Sequence, residues 1–207
     1  MCYSAEASAI AYGINLLGCV TLFYFAKDNQ FKVIALFLLF VGQMQLFDLF
    51  FWNHQKCDWA NNIVTKLAIS FNHYQPSILF FLQHFYGFKQ SLESLIILGF
   101  YTLFSFFYNF KALSQVDCTL PKNGKLDWKW TDLDGNIPFY LLFISYLIVA
   151  SFNFTSMPVK ISAAAVGVVS WVVASKKDIL NIHLGRAWCY FAALMPLGFL
   201  CLNFLVD

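Results

Sequence analysis

Seven apolar windows, each close to the roughly 20 residues needed to cross the hydrocarbon core of a bilayer, follow one another along this chain with polar punctuation between them. They run from about Glu6 to Ala26, Val33 to Trp52, Asn62 to Gly87, Leu92 to Leu113, Ile137 to Phe154, Ile161 to Ser175 and Arg186 to Val206. Lys27-Asp28-Asn29-Gln30 closes the first, and Asn53-His54-Gln55-Lys56-Cys57-Asp58 closes the second. A soluble alternative fails on composition. The chain is 60% hydrophobic and 12% charged, whereas soluble proteins carry roughly 25% charged residues to cover their outside.

The expected fold is therefore all-α, a polytopic bundle of seven transmembrane helices forming one domain over residues 1–207. The sixth window is short, and Ser162 to Val173 is small and β-branched, so a re-entrant or tightly packed helix there would leave six crossings. The long loop, Ser114 to Asn136, carries Asp117, Lys122, Lys125, Asp127, Lys129, Asp132 and Asp134, with Pro121, Gly124 and Gly135 as turn residues and Trp128 and Trp130 as interface anchors. A formal charge of +2 with scattered lysines excludes a nucleic-acid footprint. The N terminus lacks the basic region and cleavage site of a secretory signal, so the first window is expected to stay in the mature chain; removal of Met1 would expose Cys2.

Seven crossings place the N terminus on the side of Lys56, Lys122, Lys125, Lys129, Lys176 and Lys177, opposite Lys27, Lys32, Lys89 and Lys160. The positive-inside rule then leans towards a cytoplasmic N terminus, and the sequon Asn153-Phe154-Thr155 on the other side agrees. Cysteine usage pulls the other way. Cys2, Cys57 and Cys118 share the N-terminal side, and two of them, with Cys57 and Cys118 the candidate pair, would join if that side were oxidising. The competing reading is unpaired thiols, because Cys19, Cys189 and Cys201 already use cysteine as a small apolar residue.

Polar residues inside the windows are the informative ones, since an ionisable group in hydrocarbon costs roughly 3 kcal/mol unless it faces the bundle interior or water. In the third window Ser70, His73, Ser77 and His84 lie 4, 7, 11 and 18 residues beyond Lys66, one face of a helix. Asn72 and Gln75 flank that stripe. Pro76 breaks the hydrogen-bond ladder and is expected to free the Asn72 carbonyl. Ser8, Tyr12, Asn15 and Cys19 form a smaller stripe in the first window, and Gln45 and Asp48 sit one turn apart in the second. Depth counting puts Glu6, Asp48, Lys66 and Arg186 at one level, with His73 and Asn15 deeper. Two acids and two bases there are either interhelical salt bridges or the lining of a half-membrane cavity with His73 at its floor.

Metal and cofactor readings are weaker. His73 and His84 lie about 16 Å apart along a helix axis and cannot share an ion, and the spacings of His54 and His183 match no zinc motif. The last window offers Arg186 and no lysine, so retinal held as a Schiff base there is not expected, and no cofactor is predicted. Ser70 and His73 supply half of the pattern of membrane ceramidase-like hydrolases, but the last window has no histidine.

Met1-Cys2-Tyr3-Ser4-Ala5, Cys57 followed by Asn61 and Asn62, the Gln75-Pro76 pair, and Trp188-Cys189 with Pro196 resemble an uncharacterised family of multi-pass membrane proteins whose members often begin Met-Cys-Trp-Ser. That family places a Glu one turn before a Gln in its second helix, where this chain has Gln45 before Asp48. The resemblance implies a membrane fold and carries no activity.

The leading functional expectation is a channel-like or transporter-like protein for an ion, proton or small polar solute, lined by His73, Asp48, Lys66, Ser70, Gln45, Gln75, Glu6, Arg186 and Asn15. The alternative is a non-enzymatic scaffold or accessory subunit that binds a protein partner through the 114–136 loop, and a weaker one is a sensor or metal-dependent enzyme. The bilayer is the expected surrounding, with a second copy of the chain as a further candidate partner.

Overall fold

A computed structural model describes residues 4–122, 124–131, 133–175 and 184–206, with side chains in the last two helices described up to 169 and again from 193. The described residues are helical almost throughout. In order come α1 (Ala5–Tyr24), α2 (Asn29–Asn53), α3 (Trp59–His73), α4 (Gln75–Phe85), α5 (Leu92–Gln115), α6 (Asn136–Ser151), α7 (Met157–Ser175) and α8 (Leu184–Leu205). Among these, α1, α2 and α5 are long and apolar enough to cross a membrane. Shorter apolar stretches cover Ile137–Ser151, Met157–Val169 and Ala193–Leu205.

Local chemistry sets most of the boundaries. Ser4, Asp28, Asp58 and Ser91 cap α1, α2, α3 and α5 by accepting hydrogen bonds from backbone N–H groups of the first turn. The Asn61 N–H, helped by His54, holds the Asp58 carboxyl below its usual value of 3.8. Two expectations shift. The third window is divided at Tyr74 into α3 and α4, with Pro76 in the first turn of α4, because proline tolerates the start of a helix and not its interior. The sixth window starts at Met157, four residues earlier than its apolar run suggests, and is one continuous helix of 19 residues, about 28 Å at 1.5 Å per residue.

α2 is the hub, packing against α1, α3, α4 and α8, while α5, α6 and α7 pack in sequence order. Apolar side chains of α1, α2, α6 and α8 meet in one cluster around Leu22, Phe31, Ile34, Tyr146 and Phe199. α5 is amphipathic in the inverted sense. Its buried side carries Ser94, Tyr101, Ser105, Tyr108, Asn109 and Ala112, and its exposed side carries Leu92, Ile96, Phe100, Leu103, Phe106, Phe107 and Phe110. A helix that hides its polar face and shows its apolar one suits lipid and not water.

The segment between α5 and α6 is folded onto the bundle. A two-residue hairpin, β1 (Pro121–Lys122) with β2 (Lys125–Leu126), precedes a single 3₁₀ turn at Lys129–Thr131. Trp130 is fully buried and stacks on Trp128 at 4.8 Å, so this pair anchors the segment to its own bundle. Tyr108 donates to the Trp130 carbonyl at 2.7 Å. A disulfide joins Cys57 to Cys118, while Cys19 and Cys201 are free.

Candidate functional site

The break at Tyr74 creates the most unusual polar centre of the described residues. A helix interrupted by Pro76 leaves carbonyl groups without an intrahelical donor, and the Tyr101 hydroxyl of α5 donates to the carbonyl of His73. The expected free acceptor was the Asn72 carbonyl; the one engaged from a neighbouring helix belongs to the next residue.

His73 itself is completely buried. Its Nδ1 lies 2.5 Å from Asn109 Oδ1 on α5, and its ring is walled by Phe139 at 4.6 Å, Tyr108 at 5.4 Å and Tyr140 at 6.4 Å between centroids. Asn72, the residue before His73, donates to the Tyr140 hydroxyl at 3.0 Å. Because Asn109 Oδ1 can only accept, Nδ1 carries the proton of the neutral ring. Nε2 is then a bare acceptor, and it is buried without a hydrogen-bond partner.

The other candidates separate into several places. Asp48 and Gln45 are buried on α2 and engaged with their surroundings. Asn15 is buried where α1 crosses α2, over Gly42, away from the α3–α5–α6 junction that holds His73. Gln75 is buried beside the break. Lys66, Ser70 and Ser77 are only half-buried, and Glu6 and His84 are exposed. The third-window stripe is thus not one buried face: the inward polar residues of α3 and α4 are Asn61, Thr65, His73, Gln75 and Gln83. The turn at Tyr74 resets the rotation of α4, which turns His84 outward. The side chains of Arg186, Trp188 and Cys189 lie outside the described residues, as do Cys2, Asp132, Lys176, Lys177 and His183. Among the described residues, no three His, Cys, Asp or Glu side chains converge to hold a metal ion.

Tyr101, Asn109, Phe139 and Tyr140 were not singled out from the sequence. A signal for the α5 pair existed: Tyr101, Ser105, Tyr108, Asn109 and Ala112 stand 7, 11, 14, 15 and 18 residues after Ser94, the same one-faced arithmetic that exposed the other stripes.

At the opposite end, side-chain amides bind the connecting turns together. Gln83 donates to the Ala150 carbonyl at 2.8 Å, and Asn153 donates to Gln90 at 2.9 Å and to Gln83 at 3.3 Å. Gln30 Oε1 accepts from the Thr155 hydroxyl and the Ser156 N–H, while Asn203 bridges the Phe25 carbonyl and the Lys27 N–H. A cleft of about 660 Å³ opens between these turns, lined by Asp28, Asn29, Gln30, Lys89, Asn153 and Thr155 among others. The sequon asparagine is therefore a structural bracket.

No protein-family model, curated protein or solved structure matches the chain.

Proposed function

We propose that the chain crosses the membrane seven times, counting α3 and α4 as one broken crossing, and passes a proton or a small polar solute, with His73 as the group that takes it up. The observation behind this reading is His73 Nε2. An unsatisfied buried acceptor costs about 1–3 kcal/mol, and in native interiors such a group calls for an explanation beyond packing. A broken helix at membrane depth is tolerated where it is sheltered by protein or lines a polar path, and intramembrane ionisable groups mark such paths. A proton, or the donor group of a small solute, would satisfy Nε2. Imidazole is suited to this exchange, since one of its two nitrogens can take up a proton while the other gives one back. Asp48, buried on α2, is the acidic group assigned to the same path.

The Asn109 amide on Nδ1 and the complete burial of the ring shelter a change of protonation from lipid. The enclosing rings also mean that passage needs a rearrangement at the α3–α4 break. The test is flux in sealed vesicles containing purified protein, read with an internal pH dye under an imposed gradient and with solute tracers. His73→Gln and Asp48→Asn should each lower flux at least tenfold while the detergent-solubilised chain still elutes as a folded species. Unchanged flux in both variants would remove the reading.

A further inference from the structure

We infer that the face carrying the α2–α3 turn and residues 116–135 lies in an oxidising, extracytoplasmic compartment, where oxidation of Cys57 and Cys118 fastens that segment as a fixed cap over α3 and α5. The cysteines are 61 residues apart, with Cα atoms 5.6 Å from each other, within the range that a cystine spans. They do not meet by chance of packing, because α3 grips the residues around Cys118. Asn61 acts as a surrogate strand: its Oδ1 accepts the Thr119 N–H at 3.0 Å and its Nδ2 donates to the Thr119 carbonyl at 3.1 Å. Asn62 donates to the Asp117 carbonyl at 2.9 Å, and Thr65 accepts the same Thr119 N–H at 3.0 Å. Both neighbours of Cys118 are thus held, and the thiol is presented to the exposed Cys57.

The chemistry fixes the compartment. Two thiols become one cystine by giving two electrons and two protons to an incoming disulfide donor, which leaves as two thiols. Such donors act outside the cytosol, and cytosolic pools keep thiols reduced. The opposite face agrees. There Asn153, of the one acceptor motif in the sequence, has both ends of its amide engaged in bracing the turns, its Oδ1 taking the Ser91 N–H at 3.1 Å and its Nδ2 donating to Gln90 at 2.9 Å. Lysine distribution argued for the reverse orientation, but the excess is small. Lys111 of α5 donates to the Asp134 carbonyl of the cap at 3.0 Å, and Asp117 and Asp127 are interspersed with the lysines. A covalent bond that requires an oxidant is the stronger constraint.

This inference rests on the membrane-spanning reading and not on transport. Sealed vesicles of known sidedness are treated with a membrane-impermeant reductant and then a large impermeant maleimide. Two added masses should appear only after reduction and only from the extracytoplasmic side, and they should be absent from the Cys57→Ser/Cys118→Ser variant. Labelling of the pair without reductant, or from the cytosolic side, overturns the orientation. Should that variant fail to fold, Lys125→Thr gives a second reading, because it completes an acceptor motif at Asn123-Gly124. In a eukaryotic host it should gain one glycan removable by glycosidase. No glycan there, with one on an acceptor sequence appended after Asp207, overturns the proposal. Alkaline extraction separates the two failures: release without detergent removes the membrane-spanning reading, whereas a retained chain labelled from the wrong side removes the orientation alone.

Discussion

Neutral amides, more than charges, hold this interior together. Asn61, Gln83, Gln30, Asn109 and Asn203 are all buried, and each offers both a donor and an acceptor without the desolvation cost of an ion. Asn15 shows how tightly such a group is fitted. A Cβ at Gly42 would sit 2.7 Å from Asn15 Cγ and 3.2 Å from its Nδ2, so α1 and α2 approach there only because position 42 has no side chain. Gly42→Ala is expected to destabilise the chain by about 1–3 kcal/mol, the usual cost of overpacking, and so to lower its thermal midpoint in detergent. Asn15→Ala in the same chain should recover part of that loss. Strict additivity of the two substitutions in a double-mutant cycle would show that the close approach is not what Gly42 provides. The sequence exposed Asn15 and His73 through their helical spacing, because period is a local property. It favoured Glu6 and Lys66 as well, and those are exposed and half-buried, since the rotation of a helix about its axis depends on neighbours that a single chain does not name.

At the level of elements, helix existence was legible and helix continuity was not. Apolar runs mark the helices and capping residues the starts of α1, α2, α3 and α5, but one proline in the third window was compatible with either a kinked helix or two helices. Tyr101 bonding the His73 carbonyl shows how the second outcome is supported from α5. α5 itself carries the clearest sign of a lipid surrounding. Nitroxides placed singly at Leu103, Phe107 and Phe110 should show high oxygen accessibility in reconstituted bilayers, and nitroxides at Ser105 and Ala112 low. An α5 with the same accessibility all round, or with high accessibility to a water-soluble relaxer at Phe107, would contradict the inverted face. His73 draws its acceptor partner from the sheltered side of this helix, so the face that avoids lipid is also the one that completes the site.

At the scale of the whole molecule, the two ends are built differently. One end is bracketed by amides around the Gln83–Asn153 turns, and the other is closed by a covalent bond through a hairpin, a buried Trp130 and the Asn61 clamp. Cys57, Asn61 and Asn62 act together there, because all three residues fasten 117–119. The sequence could propose that pairing but not choose it, since contacts 61 residues apart leave no local period. Loop closure of that length restricts a fully unfolded chain by about 4 kcal/mol in the chain-entropy picture. Membrane helices that stay formed in detergent restrict it already, so the realised effect is smaller. Cys57→Ser/Cys118→Ser should therefore lower the thermal midpoint of the detergent-solubilised protein by several degrees, and a reductant should bring the parent chain down to the same value. The comparison isolates the bond from the cap, because Asn61, Asn62 and Thr65 still hold residues 117–119 after reduction. A parent midpoint that does not move with reductant would mean that these hydrogen bonds alone fix the segment and that the cystine reports its compartment without stabilising the fold.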